Sequence, residues 1–251
     1  MCANYKPVTA QDRLVQYFGV DRPEGQTPPE VYPGGLAPFI VRQHDRVELA
    51  RDARLGLFGL LPVWAKDMAF GRRTYNARSE TVAQKPAFRE AWRHARRCIV
   101  PVEVVFEPNW DSGRAVRYAI SRRDGRPMGI AGLWGWWRDA KGQEWLSFTM
   151  LTINADGHGV FSRMHRPGDE KRMVAILDEA DYDTWLEATD DRAKSLLVPF
   201  AADRLQAQVD PRPGVRPSSP VVKRARPKAS RPPDGAGDVD EDDGPEQLGL
   251  L

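Results

Sequence analysis

The pattern of apolar and polar positions predicts more strand than helix. Val47–Ala50, Gly56–Leu61, Ala115–Ile120, Met128–Trp134 and Glu144–Ile153 read as short strands, several of them closed by Gly or Pro. Cys98–Phe106 is an apolar run with one Glu inside it, and Val174–Leu177 follows a Pro/Gly-containing loop; both are strand-like. Ala83–Arg97 places Phe88, Ala91, Trp92 and Ala95 at helical spacing. Ser79-Glu80-Thr81 has the look of a helix start ahead of Val82–Phe88. Asp181–Glu187 and Asp191–Leu197 read as further short helices. Strands outnumber helices and do not alternate with them, which predicts an α+β fold rather than a doubly wound parallel sheet.

This patterning fades near residue 205. From Gln206 to Leu251 there are eight Pro and no aromatic residue. The first part of that stretch is basic (Arg212, Arg216, Lys223, Arg224, Arg226, Lys228, Arg231) and the second acidic (Asp234, Asp238, Asp240, Glu241, Asp242, Asp243, Glu246). Such a segment has too little apolar surface to offset the entropy of ordering it. The expected organisation is one folded domain over 1–205 and a disordered tail over 206–251, and a monomer fits it.

Composition narrows the function classes. Hydrophobic residues make up 41% of the 251, enough for a real core, and eight Trp could serve that core, a base-stacking surface, or both. The net charge is only +2, so a nucleic-acid partner must be argued from where charges sit. Cys2 and Cys98 are too few for a disulfide framework, and neither they nor His44, His94, His158 and His165 show metal-ligand spacing. No cofactor or metal is expected. The start MCANYKPVTAQDR is polar, with no signal peptide, and no apolar run long enough to span a membrane follows. A cytoplasmic location is expected, where thiols stay reduced.

Four places could carry chemistry. Removal of Met1 would leave Cys2 with a free amine and a thiol on adjacent carbons. Their ordinary pKa values, roughly 7.7–8.0 and 8.5, leave both partly reactive at cellular pH. An aldehyde suits the pair: the amine forms a Schiff base and the thiol closes a five-membered thiazolidine. Taken alone, Cys2 reads first as an incidental residue on a loose terminus. In Thr74–Thr81, Asn76 can fix a nucleophile and Arg78 can grip a phosphate. Glu107 ends the apolar run beside an aromatic and a Pro, where desolvation would suit it to acid/base work; Glu103 shares its strand face and is the rival. Cys98 reads as a small buried hydrophobe. His165, in a polar Pro/Gly loop, could shuttle protons, with His158 between two glycines as its competitor.

Taken in order, these segments resemble the SRAP family of abasic-site processing proteins, also called SOS response-associated peptidases. The resemblance runs through Met1-Cys2, Pro33 within VYPGGLAPFIV, Gly59–Ala65, Asn76–Thr81, Pro86-Ala87-Phe88 and Arg97–Pro101. It continues at Glu107, Ala131-Gly132-Leu133-Trp134, and His165 followed by Arg172-Met173. Ala3-Asn4 stands where the family commonly has Gly-Arg, and Pro-Gly-Asp-Glu-Lys is inserted between His165 and Arg172. Counting from the Cys-x-x-Pro anchor selects Glu107 over Glu103.

The resemblance implies a single compact α+β domain with a mostly antiparallel, β-barrel-like core flanked by short helices. It implies that mature Cys2 crosslinks to the ring-opened aldehyde of an abasic site in single-stranded DNA, shielding the site near the nucleoid. Asn76 would then position Cys2, Glu107 act as acid/base and His165 move protons. Arg78 would hold the flanking phosphate, while Trp64 and Pro33 shape and stack the DNA. Arg72, Arg73, Arg89, Arg93, Arg96 and Arg97 would add local positive charge, although the last four also read as a solvated helix face. The alternative is a thiol (auto)peptidase using Cys2, Glu107 and His165. The end Glu246-Gln247-Leu248-Gly249-Leu250-Leu251 resembles bacterial sliding-clamp binding motifs, with Gln247 at a pocket rim and Leu248, Leu250 and Leu251 in an apolar groove.

Overall fold

The computed structural model describes residues 3–43 and 50–210. In chain order the strands are β1 (Asn4–Pro7), β2 (Leu36–Gln43), β3 (Ala50–Phe58), β4 (Asn76–Arg78), β5 (Arg97–Asn109), β6 (Val116–Arg122), β7 (Met128–Arg138), β8 (Glu144–Asn154), β9 (Arg172–Val174), β10 (Ile176–Leu177) and β11 (Leu205–Val209). The helices are α1 (Gln11–Phe18), α2 (Arg89–Arg93), α3 (Tyr182–Glu187) and α4 (Asp190–Ser195).

The pairing closes on itself. β7 pairs with β8, β8 with β3, β3 with β2, β2 with β5, and β5 again with β7. The result is a five-stranded barrel, the barrel-like core that the resemblance implies. Its seam is narrow, because β2 meets β5 at the single rung Ile40↔Ile99. The β3–β8 step is parallel, as is the addition of β4 to β8; the remaining pairs are antiparallel. Aromatic rings fill the centre: Phe148 lies 5.3 Å from Phe39 and 5.6 Å from Phe58, and Tyr5 meets Phe58 edge-on at 5.2 Å. Edge-to-face and offset contacts suit the ring quadrupoles.

Several sequence expectations hold closely: β5 to β8 contain, to within a residue at the start of β6, the four strands read between Cys98 and Ile153, and α3 and α4 overlap the two short helices. The strand expected over Val174–Leu177 is broken at Ala175, whose N–H and C=O bond to Leu151 and Ala131. Val47–Ala50 falls almost wholly outside the described residues. The strand expected over Gly56–Leu61 ends at Phe58, because Gly59 at φ 129° turns the chain out of the barrel. A Cβ there would sit 2.1 Å from the Gly71 carbonyl oxygen, so glycine allows the outgoing and returning chain to cross.

The helix expected over Ala83–Arg97 shrinks to α2. Pro86 lacks an N–H, and residues 79–88 form successive tight turns closed by bonds such as Gln84 N–H to Thr81 O and Phe88 N–H to Lys85 O. Ala95, at φ 49°, ends the helix and Arg97 already starts β5. Phe88, Ala91 and Trp92 still face the core, whereas Ala95 is exposed. Gln206–Val209, read as tail from composition, are the outer strand β11 paired along β6. Residues 211–251, with the sliding-clamp-like end at Gln247, Leu248, Leu250 and Leu251, lie outside the described residues.

Candidate active site

Glu107 lies near the end of β5, opposite Tyr118 of β6. The strand alternates there, so Val105 and Glu107 point inward and Phe106 and Pro108 do not. Only 2% of Glu107 is exposed. Burial raises its carboxyl pKa to about 7. Its rival Glu103 is half-buried where the β1–β5 register shifts, and is held by Arg13 through two hydrogen bonds of 2.7 and 2.9 Å. That fork-to-fork contact is a structural ion pair.

His165 reaches Glu107 from the opposite segment. A 3-10 turn over Phe161–Arg163 ends at Met164, which bridges to Asn109. The His165 N–H donates to Pro108 O at 2.7 Å. The Lys171 ammonium gathers the carbonyls of Met164, His165 and Arg166. These bonds hold His165 at φ 63°, a backbone conformation that costs a non-glycine residue on the order of 1 kcal/mol. The imidazole Nε2 then stands 3.6 Å from Glu107 Oε2. Burial lowers the His165 pKa to about 4. Burial therefore favours the uncharged form of each partner.

His158, the competitor, is a structural residue. Its Nδ1 accepts from Val160 N–H and Phe161 N–H at 3.1 Å, so Nε2 carries the proton and donates to Phe200 O at 2.8 Å. It holds the turn from which His165 emerges. Cys98 is fully buried, and desolvation pushes its thiol well above the ordinary range, as befits a core residue.

Asn76 and Arg78 flank Ala77 on β4, paired with Met150 and Thr152 of β8. Asn76 Oδ1 is shielded from solvent. Arg78 is about half exposed, and its Nη2 contacts Glu170 Oε2 at 2.7 Å. Glu170 also accepts from buried Arg172, which is anchored by Glu80 and the Thr152 carbonyl. The loop that carries His165 is thus tied to the strand that carries Arg78.

Trp64 and Pro33 belong to two other surface groups. Trp64 is 51% exposed and meets Phe70 edge-on at 5.1 Å, while the Arg73 guanidinium sits 5.2 Å from the same Phe70 ring. Arg72 is exposed beside it. Pro33 occupies the second position of a turn closed by Gly35 N–H to Tyr32 O, with Gly34 at φ 92° as that turn requires. Arg97 does not join the positive surface expected of it. It is buried, paired with Asp190 at 2.8 Å and placed over Trp92 and Trp185. Arg89 and Arg93 are exposed next to Glu90.

A cluster beside Glu107 had no signal in the sequence. Asn4 is buried and donates its Nδ2 to Glu30, which also accepts from Arg117 and, at 3.1 Å, from the Tyr32 hydroxyl. Cys2 itself lies outside the described residues. Among the described residues, no group of three or more His, Cys, Asp or Glu could hold a metal ion, and no helix is long and apolar enough to cross a membrane.

Residues 1–211 match the model of the family described as SOS response associated peptidase (SRAP). The chain belongs to the SRAP family. It is 28% identical over 215 residues to the abasic site processing protein YoqW of Bacillus subtilis, covering 82% of this chain and 91% of that one. The abasic site processing protein YobE of the same organism is 29% identical over 215 residues, covering 82% and 93%. A crystal structure of a Bordetella bronchiseptica protein superposes with a TM-score of 0.78 at 39% identity, covering 84% of this SRAP chain and all of that one. A Bacteroides thetaiotaomicron structure, at 23% identity and TM-score 0.70, shares the fold.

Proposed function

We propose that this SRAP protein processes abasic sites in single-stranded DNA by forming a covalent thiazolidine between mature Cys2 and the sugar aldehyde. The observation that carries the proposal is the buried Glu107–His165 contact at the end of β5, beside which β1 begins. The β1–β5 ladder ends at Asn4↔Phe106, one residue short of Glu107. Two residues span at most about 7 Å, so Cys2 is tethered within that distance of Asn4. The relatives named as abasic site processing proteins support the substrate class.

The reaction balances without a cofactor. The Cys2 amine adds to the ring-opened aldehyde and water leaves, giving an imine. The thiol sulfur then adds to the imine carbon, and its proton ends on nitrogen. A proton must reach the departing oxygen, and a Glu107 carboxyl that titrates near neutrality both supplies and retrieves it. A neutral His165 accepts and passes on a proton, and Asn76 orients the amine. Arg78 holds the flanking phosphate, while Trp64 and Pro33 stack and shape the strand, with Arg72 and Arg73 adding charge.

The test is one oligonucleotide with a single abasic site, incubated with Met-processed protein and run on a denaturing gel. A shifted band that vanishes with Cys2→Ala is expected; absence of any covalent band would sink the proposal. An N-terminal tag abolishes the adduct, while the same tag after Leu251 spares it. The family description also keeps a thiol peptidase in view. Cys2-dependent peptide cleavage without a DNA adduct would favour it.

A further inference from the structure

We infer that Glu30 is a positioning residue for the N-terminal nucleophile, acting through Asn4; the inference rests on the function proposed above. Asn4 opens β1 and is 8% exposed. Its amide donates to the Glu30 carboxylate, onto which the Arg117 guanidinium also converges from β6. Arg117 faces Pro108 across the β5–β6 ladder and its guanidinium carbon sits over Phe106, 3.6 Å from its ring centroid. Phe106 is in turn the rung partner of Asn4. The circuit from Asn4 through Glu30, Arg117 and Phe106 back to Asn4 therefore encloses the base of the segment leading to Cys2, one residue from Glu107.

The chemistry of this circuit suits aiming rather than holding the fold together. β1 is already secured on both edges by backbone bonds: to β5, and to Val31 by Tyr5 N–H to Val31 O at 3.2 Å and Val31 N–H to Tyr5 O at 2.9 Å. Those bonds survive any side-chain change at Glu30. The side-chain circuit adds a defined direction for the chain where it enters the strand. A charged acceptor strengthens each bond it receives, and Arg117 orients the Glu30 carboxylate. Without the circuit that direction is lost, and small misplacements of a nucleophile are costly in rate.

The experiment measures crosslinking rate at saturating abasic-site DNA, affinity for the same DNA with an intact base, and melting temperature. Glu30→Ala is expected to slow crosslinking on the order of 10- to 100-fold while affinity stays within about two-fold. Asn4→Asp sets two carboxylates against each other and slows the reaction similarly. The double variant Asn4→Asp/Glu30→Gln reverses the polarity of the bond, with the amide now at position 30 donating to the carboxylate now at position 4, and should return most of the rate. A Glu30→Ala rate equal to wild type overturns the inference. So does a loss matched by weaker DNA binding, or one that the double variant fails to restore. If wild-type protein forms no Cys2-dependent adduct, the function proposed above fails first and the inference falls with it.

Discussion

Replacing Glu107 or His165 by glutamine tests whether the pair is neutral. Glu107 rises from 4.5 to about 7 on folding, and His165 falls from 6.5 to about 4. Between these limits the unfolded chain carries an ionised Glu107 and a protonated His165, while the folded chain holds both uncharged. Folding therefore takes up a proton at Glu107 and releases one at His165. Stability tied to Glu107 is present below pH 4.5 and lost as pH rises toward 7. Stability tied to His165 is present above 6.5 and lost as pH falls toward 4. In the wild-type pair the two slopes cancel across the interval.

Each single variant exposes the slope of the residue that remains. Glu107→Gln leaves His165, so the variant loses about 1.4 kcal/mol for every pH unit descended between 6.5 and 4.5. His165→Gln leaves Glu107, so that variant loses about the same for every unit ascended. The stability gap between the two variants thus changes by about 2.7 kcal/mol per pH unit, well above the error of urea unfolding at pH 5, 5.5, 6 and 6.5. Comparing variants at one pH cancels every other titration. Parallel curves would refute the reasoning. Curves of the opposite sign would mean a charged Glu107–His165 salt bridge, with the acid lowered and the base raised.

Three further outcomes follow from the surface groups. Arg78→Ala weakens binding to single-stranded DNA and reduces its salt dependence by about one counterion, whereas Glu170→Gln frees Arg78 from its partner and tightens binding about two- to five-fold; fluorescence anisotropy across a salt series reads both. Trp64→Ala costs about 1–3 kcal/mol of DNA affinity with the melting temperature unchanged, because the ring is half exposed and touches Phe70 alone among the aromatic rings described. A peptide of the last ten residues binds purified bacterial sliding clamp and loses that binding on Gln247→Ala; no binding at high micromolar peptide removes the tail from the account.

Long, strongly patterned strands were legible in the sequence, and short or interrupted elements were not. β5, β7 and β8 carry long, largely apolar runs rich in strand formers. β2 contains Pro38, which argues against a strand until the barrel shows that it pairs there with β3, away from the single Ile40↔Ile99 rung to β5. α1 buries only Leu14 and Phe18, too few for a periodic signal. Arg97 shows the limit for charges: composition placed it on a positive face, but its side chain is sealed between Trp92, Trp185 and Asp190. The partner that decides its fate lies far along the chain, and no local pattern announces it.

The same limit governs the choice between Glu103 and Glu107. The sequence pattern made them equivalent, since a regular strand would put both on one face with Val105 between them. What separates them is tertiary. α1 brings Arg13 to Glu103 and holds it in a bidentate ion pair. Glu107 is met instead by a histidine that burial itself drives neutral. One carboxyl is thereby occupied in a structural ion pair, while burial brings the other to titrate near neutrality. A group that must give and take a proton has to be the second kind, so the helix that engages Glu103 contributes to the site by removing the competitor.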